Sequence, residues 1–361
     1  MDHNLEKRLD GRISRVRGRM KKDGIEAFLV RKNENKYYLS LFRSTSFELV
    51  ITEDRNYLVT DFRYTEAASA LEPLYQVVRV DASYTLHDFL REKGFQVLGL
   101  EYKESSVDFY NRLTEAVPDT EVRAFDGVVE DIRVIKDEAE QADLRMAEHI
   151  GDQAFSYILT QIRPGISEKE IALKLELKMR ELGASGLSFD TICVSGVRSS
   201  LPHGGPSEKL IEKGDLVTMD FGCVYNGYCS DMTRTVGVGT LDSRQKEIYE
   251  LVLKAQMAAC DYIRAGVSAA DADRAARSII EEAGYGAYFG HGLGHGTGLE
   301  IHEAPTANPS SKEILRSGMM VTVEPGIYLP GEFGVRIEDL SIVADDGIIN
   351  ITESEKQLII V

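Results

Sequence analysis

Basic residues are in short supply. The 361-residue chain carries 42 lysines and arginines against 59 aspartates and glutamates, a formal net charge of −17 at pH 7. Binding a phosphate backbone needs a basic face, so nucleic acid is not an expected partner. Long apolar runs are missing as well. No stretch approaches the roughly 18 uninterrupted apolar residues of a membrane span, and none is expected. The first residues, Met1-Asp2-His3-Asn4-Leu5-Glu6-Lys7, have no apolar signal-peptide core. Cysteine is scarce: Cys193, Cys223, Cys229 and Cys260 include no Cys-x-x-Cys pair. They read as reduced structural thiols of a cytoplasmic protein.

What is present suffices for a large core. The chain is 43% hydrophobic, and helix-like and strand-like stretches alternate along it, so the expected class is α/β or α+β. Its length suggests two domains. The first third reads as a small α/β unit: a charged amphipathic helix from Leu5 to Lys22, then strands at 25–30, 47–52, 56–60, 75–80 and 97–101, with helical patterns between. The pattern changes around Asp126 to Lys136, and a long helix is expected from Asp137 to Ile162. This places one domain at residues 1–130 and a second at 131–361. The second contains a repeat. Ile162-Arg163-Pro164-Gly165-Ile166-Ser167 recurs 101 residues later as Ile263-Arg264-Ala265-Gly266-Val267-Ser268. Each copy is followed by a helical stretch, with Ser167 or Ser268 as N-cap and Gly183 or Gly284 as helix stop. Two similar halves facing each other would leave a cleft between them.

Three clusters place acids or histidines where apolar neighbours make a solvated surface unattractive. Met219-Asp220-Phe221 lies in a β-like run, and Asn226-Gly227 then signals a two-residue hairpin turn before Tyr228 to Val238. With that turn, Asp220 faces Thr233, and Asp231 shares their face as a diagonal neighbour. The alternative is a pair of surface acids. The second cluster, Gly290 to Glu303, holds His291, His295 and His302. Four-residue spacing would suit a helical zinc pair, but alternating glycines disfavour a helix and favour an extended segment in close contact with its neighbours. The third is a strand ending Val323-Glu324-Pro325-Gly326, returning after Pro330-Gly331 as 334–343. Alternation puts Arg336 and Glu338 on one face and Val335 and Ile337 on the other. A structural ion pair of Arg336 and Glu338 with Glu324 would account for this cluster alone and leave Asp220 and Asp231 unexplained.

Taken in order, Met219 to Gly222, Ser230 to Thr235, the His291–His302 strip with Glu303-Ala304-Pro305, Thr322 to Gly326 and Arg336 to Asp339 resemble the pita-bread metallopeptidases. Within them the chain resembles the Xaa-Pro aminopeptidase and Xaa-Pro dipeptidase (prolidase) group. Asn35 to Leu41, Thr60 to Tyr64 and Gly99 to Glu101 resemble that group's smaller, creatinase-like α/β amino-terminal domain. The resemblance implies a pita-bread catalytic domain with a pseudo-twofold repeat, in agreement with the 101-residue offset.

It also implies the chemistry. The metal ligands would be Asp220, Asp231, His295, Glu324 and Glu338, with Asp231 and Glu338 shared by two divalent ions. Oxygen-rich ligation with one imidazole suits manganese or cobalt at least as well as zinc. A water activated between the ions would attack the carbonyl before proline. Glu324 would pass its proton to the leaving nitrogen, and His302 or His203 would support the oxyanion. His203 and His302 map to the substrate pocket, and His291 to the pocket or to a position just behind the ligands. Arg336 either orients Glu338 or also meets a product carboxylate. The substrates implied are proline-containing peptides, and the assembly a homodimer. The rivals are a creatinase-like amidinohydrolase and a non-catalytic pita-bread binding protein; both would be expected to have lost ligands.

Overall fold

The computed structural model describes residues 3–44, 46–72 and 74–361. The chain forms two compact units that divide between Arg133 and Val134. The amino-terminal unit is a six-stranded mixed sheet in the order Gln76–Arg79, Asn56–Thr60, Phe47–Thr52, Ala27–Val30, Val97–Leu100 and Glu121–Ala124. Its first helix, His3–Asp23, buries Leu9, Ile13, Val16 and Met20 at helical spacing. Helix Asn33–Ser40 has no capping side chain of its own. The buried carboxylate of Glu101 supplies one, accepting from Arg31 N at 2.6 Å and Lys32 N at 2.7 Å.

The second unit is built twice over. In each half a loop with a left-handed glycine (Gly165 or Gly266) leads into a serine-capped helix, Glu168–Glu181 or Ala269–Glu282, which stops before a left-handed Gly183 or Gly284. A longer helix precedes each, Glu138–Leu159 and Ser243–Tyr262. In the first half, strands Ile192–Ser195, Leu216–Phe221 and Met232–Gly237 form one antiparallel sheet. Val217, Met219, Phe221, Met232 and Val236 pack with residues of the helices. In the second half, Val321, Val323, Val335 and Ile337 do the same against Val252, Ala272 and Ile280.

Alternation then turns the polar residues of both halves toward each other. Thr235 Oγ1 donates to the Arg336 carbonyl at 2.9 Å, and Glu338 N donates to the Thr233 carbonyl at 3.1 Å. The halves are thus stitched along the line where the acids lie. Two elements differ from the sequence expectation. The strand expected over 228–238 is interrupted at Ser230 and Asp231, because Ser230 Oγ takes Cys223 N and Asp231 N turns to Glu148. The return of 334–343 is split between two hairpins: Gly326–Leu329 pairs with Phe333–Arg336, and Met320–Val323 pairs with Asp339–Val343. Pro325 has no N–H for a ladder and breaks the strand between them.

The histidine strip is extended, with Gly294–Gly296 a strand against Glu303–Ala307. A side-chain carbon at Gly294 would stand 2.1 Å from the Thr322 carbonyl oxygen, and one at Gly296 would stand 2.2 Å from that of Ala304. Backbone packs against both, so Gly294→Ala is expected to cost at least about 1–3 kcal/mol and to lower the thermal midpoint of the second unit. An unshifted midpoint by calorimetry would mean the strip is not packed this closely.

Candidate metal centre

Asn226 and Gly227 both have left-handed φ, 48° and 88°, and close a two-residue turn between Tyr225 and Tyr228. The register carries through to Asp220↔Thr233, the pairing that a tight turn predicts. Asp220, Asp231, His295, Glu324 and Glu338 all line one cavity of about 1060 Å³, together with His203, His291, His302 and Arg336. One ligand atom each of Asp231, His295 and Glu338 lie within 4.8 Å of one another. His295 Nε2 is 3.5 Å from Asp231 Oδ2 and 3.4 Å from Glu324 Oε1.

The groups around these five hold them in place. His295 N donates to Thr322 Oγ1 at 3.0 Å, and the same hydroxyl lies 3.3 Å from Glu324 Oε1. His295 Nδ1 is 3.1 Å from the Gly296 carbonyl, so that nitrogen carries the proton and Nε2 turns a lone pair to the carboxylates. Thr233 Oγ1 donates to Glu338 Oε2 at 2.8 Å and accepts from Arg336 Nε at 3.0 Å. Arg336 pairs directly with Asp220, Nη2 to Oδ2 at 2.6 Å, and its Nη1 donates to Tyr328 OH and the Pro202 carbonyl. Its tie to Glu338 therefore runs through Thr233.

The two pocket histidines outside the ligand set that reach the surface, His203 and His302, are exposed on the cavity wall, with the His302 ring 4.4 Å from that of His295. His291 differs. Nδ1 bonds the Gly292 carbonyl and Nε2 meets Tyr328 OH at 2.9 Å, so both nitrogens are used inside the protein. It braces Tyr328, which braces Arg336. Sequence reasoning assigned no role to Tyr328, Thr322 or Glu148; Tyr328 sits in an apolar strand with nothing local to mark it. Thr233 was legible as a residue on the acidic face but not as a hydrogen-bond partner.

The electrostatics ask for cations. Burial, then the neighbouring carboxylates, push Asp231 and Glu338 well above the usual carboxyl range. Burial likewise raises Glu324 to about 8 and lowers His295 to about 4, the latter with help from His302. Asp220 Oδ1 is buried without a hydrogen-bond partner among the described residues. An unprotonated imidazole nitrogen facing two carboxylates, beside an orphaned carboxylate oxygen, is the donor set of a hard or borderline divalent ion. The residues fit such ions.

Acids and one imidazole converging in an open cleft between two related halves define a metal-dependent hydrolase. The chain belongs to metallopeptidase family M24: that family's model matches residues 142–345, and the model of the Creatinase/Prolidase N-terminal domain matches residues 12–135. It is 44% identical to the solved structure of Xaa-Pro dipeptidase from Bacillus anthracis, with a TM-score of 0.95 over 98% of this chain and 100% of that one. It is 37% identical to X-Pro aminopeptidase from Thermotoga maritima, with a TM-score of 0.88 over 97% and 99%. An Xaa-Pro dipeptidase of Pyrococcus horikoshii is 38% identical over 97% of this chain and 99% of its own.

Protein stripped of metal should show the carboxylate crowding directly. A carboxyl raised in the folded state binds its proton more tightly folded than unfolded. Its stabilisation is full below the unfolded value of about 4.5 and is lost as pH rises through the folded value, about 8 for Glu324. The thermal midpoint of chelated protein should therefore fall between those limits, and saturating Mn²⁺ should raise it and flatten the slope. A midpoint in chelator that does not fall across this window would contradict the crowding.

Proposed function

We propose that the catalytic unit hydrolyses the peptide bond before proline at the amino end of its substrates. Asp220, Asp231, His295, Glu324 and Glu338 would hold two divalent ions, manganese or cobalt in preference to zinc, with Asp231 and Glu338 reaching both. When bound, such ions supply Lewis acidity that polarises a carbonyl and acidifies a water at neutral pH. The observation that carries this reading is His295 Nε2 within 3.5 Å of the Asp231 and Glu324 carboxylates, with Nδ1 turned to the Gly296 carbonyl. The names of the relatives supply the bond: two are called Xaa-Pro dipeptidase and one X-Pro aminopeptidase.

The side chains divide the remaining work. Glu324 takes the proton of the attacking water on a carboxylate oxygen and returns it to the departing proline nitrogen. His302 and His203, exposed on the cavity wall, present ring N–H groups to the carbonyl oxygen as it gains charge. The substrate's amino terminus would sit beside Asp220 and the ion it would hold; Arg336 fixes one oxygen of Asp220 and leaves Oδ1 for that ion. Arg336 acts by holding Asp220 and, through Thr233, Glu338. A cytoplasmic homodimer completes the proposal. The four cysteines are free thiols, in keeping with a reducing compartment, and the dimer follows the family resemblance.

The test starts from chelated enzyme restored with Mn²⁺, Co²⁺ or Zn²⁺. Ala-Pro-Ala should be cleaved before proline and Ala-Ala-Ala much more slowly. Asp231→Asn and Glu338→Gln should each lower kcat by at least about 100-fold with an unchanged circular dichroism spectrum. Inertness toward Ala-Pro-Ala with every metal would reject the reading. Full turnover in both variants would reject the ligand assignment.

A further inference from the structure

The segment that leads into the histidine strip, Phe289 to Leu293, belongs to no helix or strand, so no ladder sets its course. Two side chains of the helix Ala269–Glu282 do so instead. Asp273, 1% exposed, accepts from Leu293 N through Oδ1 at 2.9 Å. Arg277, one turn further on, grips the same carboxylate with Nε at 2.6 Å and Nη2 at 2.8 Å. It then donates to the Phe289 carbonyl through Nη1 at 2.9 Å and to the His291 carbonyl through Nη2 at 2.7 Å. One ion pair thus clamps the backbone at Phe289, His291 and Leu293. Leu293 is the joint. Its N–H goes to Asp273, while its carbonyl accepts from Glu324 N at 2.8 Å. Gly294 and His295 follow directly, so a turn of the Leu293 peptide would displace His295 and release the backbone of Glu324 together.

The repeat itself does not call for this pair. The counterpart helix of the first half is Glu168–Glu181, and 101 residues earlier the matching positions are Ala172 and Glu176. That helix packs on its own sheet with no acid–arginine pair at those positions. A buried ion pair also adds little net stability over apolar residues of the same volume. What a fully bonded one can add is a single fixed arrangement of the groups it touches. The clamp stands in the half that carries the histidine strip, and the groups it touches are the approach to His295.

We propose that Asp273 and Arg277 are positioning residues of the metal centre, which set His295 and Glu324 by fixing Leu293. The proposal rests on the two-ion reading above. In that reading Asp231 and Glu338 reach both ions, Asp220 would serve one, and His295 with Glu324 would serve the other. The clamp bears on the last two residues alone, so it governs one ion and leaves its neighbour untouched.

The experiment titrates chelated full-length protein with Mn²⁺ by calorimetry, for the unsubstituted chain, Arg277→Lys, Asp273→Asn and Ile280→Ala. Lysine keeps the charge but has no fork to span a carboxylate and two carbonyls; asparagine keeps the shape of Asp273 without its charge. Ile280, 0% exposed, packs the core from the same helix, so its truncation loosens that helix without touching the clamp. The unsubstituted chain should take up two ions. In Arg277→Lys and Asp273→Asn one of the two should bind about tenfold or more weakly, with the other ion and the circular dichroism spectrum unchanged. In Ile280→Ala the thermal midpoint should fall while both affinities hold. Unaltered affinities in the clamp variants, equal weakening of both ions, the same selective loss in Ile280→Ala, or unfolding of both clamp variants would each overturn the proposal and leave the two-ion reading intact. An unsubstituted chain that binds fewer than two ions would overturn the parent reading, and this proposal with it.

Discussion

Asp220, Asp231, Glu324 and Glu338 repel one another, and the catalytic unit is arranged around keeping them together. Like charges in a low-dielectric interior either bind protons or gather cations. The raised values of Asp231, Glu324 and Glu338 express the first outcome, and the lone pair of His295 prepares for the second. Arg336 relieves part of the repulsion through Asp220. Two threonine hydroxyls, Thr233 and Thr322, fix the oxygens of Glu338 and Glu324. None of these groups can replace the charge of a divalent ion, so the fold holds a candidate ion site together as a preformed cage.

The cage is locked from behind. On the strand of Thr233 the neighbouring residue, Arg234, points to the opposite face and is 1% exposed. Its guanidinium donates to the carbonyls of Thr233 and Glu338, to Ser354 and Glu355, and to Asp339 Oδ1 at 2.7 Å. Asp339 is held in turn by Lys356, Gln256 and Asn350. Burial would raise its carboxyl, but Arg234 and Lys356 outweigh burial and keep it below the usual range. A fully satisfied buried pair specifies one arrangement of two strands, here the pair that begin directly after Asp231 and Glu338. Glu148 adds a third anchor, accepting from Asp231 N at 3.3 Å and Thr352 Oγ1 at 2.6 Å.

How much of this was legible depended on how local the cause was. Asn226-Gly227 fixes the register of Asp220 against Thr233 because the turn chemistry lies in two adjacent residues. The 101-residue repeat is visible because caps and stops are short motifs. The glycines at 294 and 296 announce close packing, but not that Thr322 and Ala304 are what they meet. Arg336 was placed on the face of Glu338 by alternation, yet its ion partner, Asp220, lies 116 residues away in the chain. Tyr328 carried no signal, since a tyrosine in an apolar strand is ordinary core until a buried guanidinium and an imidazole arrive beside its hydroxyl. The split of the 334–343 return traces to Pro325, a break the alternation pattern passes over.

His291 and His295 make the same point within one segment. Four residues apart on a helix, two histidines stand roughly 5–6 Å from each other and naturally share an ion. In extended chain the same separation spans roughly 13 Å, so the two rings serve different neighbours. One reaches Tyr328 and, through it, the arginine that holds Asp220; the other reaches Asp231 and Glu324. The glycines are what force the extended form, because Gly294 and Gly296 lie in backbone-to-backbone contact that a helix could not make. A spacing that looks like a zinc pair thus becomes one candidate ligand and one brace, and both converge on the same four carboxylates.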